Sequence, residues 1–553
     1  MGSLVFGFIL CYPMLGHFGQ ITPVLDWSRA LDWSWTDWRT IAHYHQFPFW
    51  NPYKCGGMPS LANPLSHFLS PFLLLRVIFG PVAGLELEVP LHVSVAFSGG
   101  YLLARQLNCR PIASLICAIV FGGSSWLPLH AAAGHDVLLP GAYLPWVCAF
   151  TWMAIKRRQV SWAAAAGLFL ALCFFEGGAY EVLELAVFLT VIGAVESVLE
   201  RSPQPILLAA LAGLFSAAFS AFKLLPSIVM MRVHPRPGYL SEESLYKTFL
   251  SIFSRKQDFT GPWGEGGFWE HGAYVSVVFA ALALVGIIKA PRRGLPWAVA
   301  AAAFFVLGMG GTSPHSMYVL LHRFPGFEST YAPFRFLIAF VLAASVLAAL
   351  GGDVLLDYTR WGVVALLIFG TLDVLIVSPV SLYEVFTGQA ISVPPRSPEF
   401  RQYYDPSPTD MLAPNLANLG AVNCYEANFL DVNVTHVLGY NQPGYRGEEY
   451  LQSPGTLRLL RWTPEELEYQ VATPGPNTLV INQNYYDGWR LRDGTGTVVA
   501  YQGMVAVELP AGSQKLTVAY RAPWAVLGAW MFLFASALTV FLFWHDRRRE
   551  RTG

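Results

Sequence analysis

The stretch DWSRALDWSWTDWRT, residues 26–40, sets Asp26, Asp32 and Asp37 each directly before a tryptophan. A carboxylate held in one place can take a proton from an attacking hydroxyl, which is general-base chemistry. Asp26 and Asp32 read as well as the water-facing acids of an amphipathic interfacial helix whose tryptophans sit at headgroup level. Asp37 stands nearest the rigid turn FPFWNPYKCGGMP, residues 47–59, and is the candidate base, with Asp32 as its competitor.

Other residues offer complementary chemistry. Arg335, in YAPFRF, can grip a phosphate with two parallel hydrogen bonds; the plainer reading is an arginine reaching for lipid headgroups. Lys54, inside the rigid turn, is the second candidate cation for such a phosphate. His135 and Asp136 end the segment LHAAAGHD, Glu176 and Glu181 flank GGAY, and Glu270 and His271 close a later loop. Such groups order the hydroxyls of a polar substrate or hold a divalent cation. No ligand spacing specific to one metal is present, so the cofactor is left open. In NYYDGWR the aromatics and amides suit a sugar, but Trp489 and its tyrosines serve equally well as a hairpin core.

These residues must be positioned by a membrane scaffold. Of 553 residues, 54% are hydrophobic and 13% charged, which points to a polytopic membrane protein. A net charge of -1 argues against nucleic acid as a partner. Apolar runs predict about twelve spans, near 4–19, 86–106, 112–130, 138–156, 161–175, 179–198, 205–229, 271–289, 295–311, 333–351, 360–379 and 523–544. The apolar opening lacks a basic start and a small-residue cleavage site, so it reads as a retained first span.

Lys and Arg gather in alternate connections, around Arg105, Arg110, Lys156, Arg201, Arg292 and the tail HDRRRER. That pattern predicts a multi-pass protein of the cell membrane with both termini cytoplasmic. The outer face then holds a long first loop, 20–85, a second loop, 232–270, and the stretch 380–522. The run 66–82 must stay re-entrant or interfacial, or every later loop would invert.

The membrane module is thus 1–379. Residues 380–522 alternate with period two and carry Asp487-Gly488 and Asp493-Gly494 turns, predicting an extracytoplasmic β-sandwich with hairpins. A last span and basic tail occupy 523–553. Cys55 and Cys424 alone would face an oxidising compartment, and are expected as two lone thiols rather than a disulfide.

Several motifs in order resemble the YfhO-like branch of the GT-C-type membrane glycosyltransferases. These are the acid of the first loop before FPFWNPY and GGMPSLANP, AAAGHD before LLPGAYLPW, PFRFL with LAALGG at the far end of its span, and NQNYYDGWRL. The resemblance covers essentially the whole chain. It implies a polyprenyl-phosphate-linked sugar donor, an outward-facing site, and a first-loop Asp as base, best matched by Asp37. The acceptor would be a glycan, lipid or protein. The alternatives are a transporter or flippase of a lipid-linked glycan, for which Glu184 and Lys223 lie within spans, and a non-catalytic scaffold of the same fold.

Overall fold

The computed structural model describes residues 1–20, 25–235, 240–264, 267–330, 332–387, 392–407, 411–426 and 436–552. Eight helices among these are long and apolar enough to cross a membrane: Pro81–Gln106, Pro111–Ala133, Asp136–Arg157, Ala179–Glu200, Gln204–Val233, Pro333–Leu355, Arg360–Val385 and Ala525–Glu550. The chain is a mostly helical, multi-pass membrane protein. Shorter apolar helices, Val160–Phe175 and Val277–Lys289, pack in the same bundle against Gln204–Val233 and Leu337–Leu355.

The twelve-span expectation changes most at the N-terminus. Gly2–Leu10 and Tyr12–Leu15 are separate helices, broken beside Pro13. Nine residues cover only about 14 Å, half of the hydrocarbon thickness. Leu73–Phe79 within 66–82 is a seven-residue helix, also too short to cross.

Leu337–Leu355 runs through the centre of the bundle with nearly every side chain buried. Small residues let its neighbours approach. A Cβ on Gly351 would lie 1.9 Å from the Leu282 carbonyl, so the backbones touch there. Two crossings are interrupted at the same end: Pro111–Gly123 breaks before Trp126–Ala133, and the 3₁₀ turn Asp136–Tyr143 precedes Leu144–Arg157. Non-helical backbone at that depth is tolerated only inside protein or along a polar cavity.

Two four-stranded antiparallel sheets lie between Glu449 and Tyr520. One orders Thr497–Tyr501, Met504–Leu509, Asn477–Asn484 and Glu449–Leu451; the other orders Thr456–Trp462, Glu466–Thr473, Gly512–Tyr520 and Trp489–Asp493. Inward residues of both, among them Tyr469, Ile481, Val505 and Val518, form one core. The Asp-Gly pairs do not make hairpins. Asp487-Gly488 and Asp493-Gly494 each carry the chain from one sheet to the other. The tight hairpin is at Gln502-Gly503, where φ is 50° and 75°, the paired positive values of a type I′ turn.

The rigid turn of the first loop is part of this second unit. Trp50–Asn51 pairs with Met58–Pro59, and Trp50 enters the sheet core against Trp489 and Tyr520 at ring distances of 5.1 and 4.8 Å. Asn484 clasps the turn, its Nδ2 donating to the carbonyls of Cys55 and Gly57 at 2.6 and 3.0 Å. Gly57 sits at φ 100°, and a Cβ there would strike the Trp50 ring at 2.8 Å.

Cys55 and Cys424 form a disulfide, correcting the expectation of lone thiols. Folding brings their Cα atoms to 5.2 Å although 369 positions separate them. Cys55→Ser is expected to cost about 2–5 kcal/mol in oxidising conditions, and reductant should destabilise the parent equally. Matching thermal melts of parent and variant without reductant would show the bond to be dispensable.

Candidate functional site

The helix Trp27–Ala42 lies between the bundle and the β-rich unit, and its N-cap Asp26 and its two aspartates, Asp32 and Asp37, meet different surroundings. Its first turn is fixed by the segment from His130 to Asp136. Trp27 Nε1 donates to the Ala131 carbonyl at 2.9 Å, and the Asp26 amide donates to the Ala133 carbonyl at 3.0 Å. Gly134 ends the preceding helix at φ 79°, and a Cβ there would come within 2.2 Å of the Trp27 nitrogen. Only glycine supplies both the left-handed turn and the close approach.

This docking gathers a cluster. His130 Nδ1 and His135 Nδ1 lie 3.0 Å apart. His135 Nε2 is 3.8 Å from both Asp26 Oδ2 and Glu270 Oε1. Glu270, on the 3₁₀ turn Phe268–Glu270, receives the Arg335 fork through Nε and Nη2 at 2.9 and 2.8 Å. The Arg335 guanidinium also stacks over Tyr180 at 4.7 Å. Burial pushes the Glu270 carboxyl up, but Arg335 and then His135 override it and hold it well below the usual carboxylate range. Asp26 has 30% of its side chain exposed, so water reaches this cluster at its edge.

His130, His135 and Glu270 bring one potential ligand atom each within 4.8 Å of one another. Two imidazole nitrogens and a carboxylate oxygen suit Zn²⁺, Mn²⁺ or Co²⁺.

Asp136 extends the network away from Asp26. Its Oδ1 accepts from Arg29 Nη2 at 3.2 Å, and its Oδ2 lies 2.8 Å from His67 Nδ1. Burial lowers the His67 pKa to about 4, with Arg76 adding to that effect against Asp136.

Asp37 is fully enclosed, and neither carboxylate oxygen has a hydrogen-bond partner among the described residues. Burial raises its pKa to about 7, opposed by Arg76, whose own fork is held by Glu88. Asp32 is equally buried. Its Oδ1 accepts from Asn415 at 2.7 Å and its Oδ2 lies 3.4 Å from Lys54. Lys54, with no exposed surface, is also 3.2 Å from Glu426 and over the Trp33 ring. This triad ties the helix, the rigid turn and the segment beside Cys424 together. Lys54 thus presents nothing to a ligand in this conformation.

Glu176 lies in a separate pair of contacts. It is 2.8 Å from His92 Nε2 and accepts from the Tyr143 hydroxyl at 2.7 Å. His271 packs its ring on Phe334 and lies 3.9 Å from Glu243. Trp489 is wholly buried in the sheet core.

The structure therefore brings together Asp26, His135, Glu270 and Arg335, with Asp136 joined through Arg29; it leaves Asp32, Lys54, Glu176 and His271 in other contacts. Sequence reasoning passed over His130, Arg29, His67 and Glu426. His130 stands five positions before His135 in LHAAAGHD, and that spacing was the available signal for it.

No family model matches the chain, and no curated relative matches it. Among solved structures it is similar to the arabinofuranosyltransferase AftD from Mycobacteria, at 17% identity and a TM-score of 0.44, over 70% of this chain and 26% of that one. It is also similar to the oligosaccharyltransferase of Archaeoglobus fulgidus in the apo form, at 12% identity and a TM-score of 0.43, over 76% of this chain and 64% of that one. A third is archaeal oligosaccharyltransferase AglB from Archaeoglobus fulgidus in complex with an inhibitory peptide and a dolichol-phosphate, at 12% identity and a TM-score of 0.42, over 77% and 65%. The chain spans about a quarter of the length of the mycobacterial protein and under two thirds of the archaeal one.

Proposed function

We propose that this protein is an integral-membrane glycosyltransferase of GT-C type, moving a sugar from a polyprenyl-phosphate-linked donor to an extracytoplasmic acceptor. The observation that carries the reading is the convergence of Asp26, His130, His135, Glu270 and Arg335 where two crossing helices break their regular backbone. The site faces outward in this reading. The Cys55–Cys424 disulfide supports that, since such bonds persist in oxidising compartments. So does the basic opposite end, where Arg110 and Arg293 both reach Asp353.

The acceptor hydroxyl attacks the anomeric carbon as its bond to the phosphate oxygen breaks. The polyprenyl phosphate leaves with the bonding electrons, and a carboxylate takes the hydroxyl proton. Asp26 fits that last role best, because it is the aspartate of the helix that meets both water and the cluster. Asp37, favoured by the resemblance, stands eleven positions and about three turns along the same face. Arg335 neutralises charge on the departing phosphate. A divalent cation held by His130, His135 and Glu270 would supply further charge neutralisation there. A transporter gains no support from Lys223, whose ammonium donates to the carbonyls of Pro64, Ser66 and Phe174 at 3.0, 2.5 and 2.8 Å and so serves as a structural tie.

The test is release of polyprenyl phosphate from a mixed pool of polyprenyl-phosphate sugars in proteoliposomes, followed by mass spectrometry. Release above a protein-free control is expected, and none with any donor would refute the reading. Calorimetric titration of Mn²⁺, Co²⁺ and Zn²⁺ reads the cluster separately. Binding should be lost by about 10- to 100-fold or more in His135→Ala, and equal binding by parent and variant would remove the cation.

A further inference from the structure

At the end of the bundle away from that cluster, the helices Leu144–Arg157, Ala179–Glu200 and Pro291–Gly308 and the turn after Gln106 flank an open cavity of about 550 Å³, with Arg157 and Arg292 exposed at its mouth. Four cations and two carboxylates line it: Lys156, Arg157, Arg292, Arg293, Glu196 and Glu200. Both carboxylates belong to Lys156, at 2.5 and 2.9 Å. Arg293 donates to the Leu107 carbonyl at 2.6 Å and lies 3.4 Å from Asp353. That leaves two guanidiniums. Arg157 rests over the Trp162 ring at 5.2 Å, and Arg292 has no ion pair among the described residues.

We propose that this cavity binds the phosphate of an anionic lipid headgroup. Two guanidiniums without a carboxylate match the oxygens of a phosphodiester, and their planar forks favour bidentate contact. The cavity lies between helices rather than on a flat face, so a bound headgroup is partly withdrawn from water and its ion pairs strengthen. Its rim is apolar where an acyl chain would run. Leu107, Trp152, Met153 and Leu199 line it beside the charged groups, and Leu295, three positions from Arg292, is 43% exposed. A free phosphate would use the guanidiniums but not that rim. The proposal is independent of the reaction assigned to the opposite end.

Native mass spectrometry of the full chain, exchanged into nanodiscs of phosphatidylcholine with one fifth phosphatidylglycerol, tests it. Arg157→Gln/Arg292→Gln is compared with Arg547→Gln/Arg549→Gln, which removes the same charge from the tail at the same end. The cavity variant should retain phosphatidylglycerol about tenfold less than the parent, with the tail variant unchanged. Equal losses in the two variants would reduce the effect to general surface charge and overturn the site. Displacement of the bound lipid by millimolar inorganic phosphate would overturn the lipid as occupant. Absence of retained phosphatidylglycerol on the parent would overturn the proposal outright.

Discussion

Asp26→Asn is expected to lower turnover by about 10²- to 10⁴-fold while the protein still folds, because the amide keeps the shape of the carboxylate and loses its basicity. Asp37→Asn is the paired measurement. Asp37 lies inside the protein with both oxygens unpartnered, so its amide should leave turnover within about tenfold and act instead on stability. Burial, opposed by Arg76, raises its carboxyl from 3.8 to about 7.

With the folded value above the unfolded one, the folded state holds the extra proton between these two values. The stability this contributes is complete below about pH 4 and is lost as the pH rises through about 7. Asp37→Asn abolishes that loss, so its melting temperature should match the parent's at pH 4 and exceed it at pH 8. If Asp37→Asn is the inactive variant and Asp26→Asn is not, the base is Asp37, as the resemblance implies. An acid limb near pH 7 in the parent's turnover would accompany that outcome.

The second large effect belongs to the Arg335–Glu270 pair, whose side chains are 5% and 16% exposed. Removing one partner leaves the other charge buried, which costs about 3–5 kcal/mol. Arg335→Ala should therefore lose stability on that scale, and Glu270→Gln added to it should restore much of the loss. Arg335→Lys keeps the charge but cannot hold Glu270 with two parallel donors and still turn a further N–H to the phosphate, so it should raise the donor KM by about tenfold with a smaller loss of stability. Additive losses in the double variant would show that the pair is not coupled. A lysine variant with unchanged donor dependence would remove Arg335 from the phosphate, leaving it a support for Glu270 alone.

Much of the scaffold follows from local chemistry. Long apolar runs of about twenty residues become crossing helices because hydrocarbon leaves the backbone no partner but itself. The alternating stretches after residue 449 become strands because period two places successive side chains on opposite faces, one set in the core and the other outside. The three Asp-Trp repeats do fall on one helix, with Asp26 as its N-cap, but Asp32 and Trp33 are buried instead of meeting water and headgroups, and Gly134 marks a turn that another residue type would not make.

Side-chain environment was decided elsewhere. Lys54 and Asp32 carry full charges in the sequence, and only the approach of Glu426 and Asn415, nearly 400 positions away, makes them a buried structural tie. The rigid turn reads as the support of Asp37 and Lys54, yet Trp50 fills the sheet core because two distant strands leave a space of its shape. The Asp-Gly pairs signal turns, but a turn signal is local, and which sheet the next strand joins depends on all the strands together. Cys55 and Cys424 are joined for the same reason. The cluster of Asp26, His130, His135, Glu270 and Arg335 draws on four separate segments, and no spacing along the chain encodes a distance that only the packing of those segments sets.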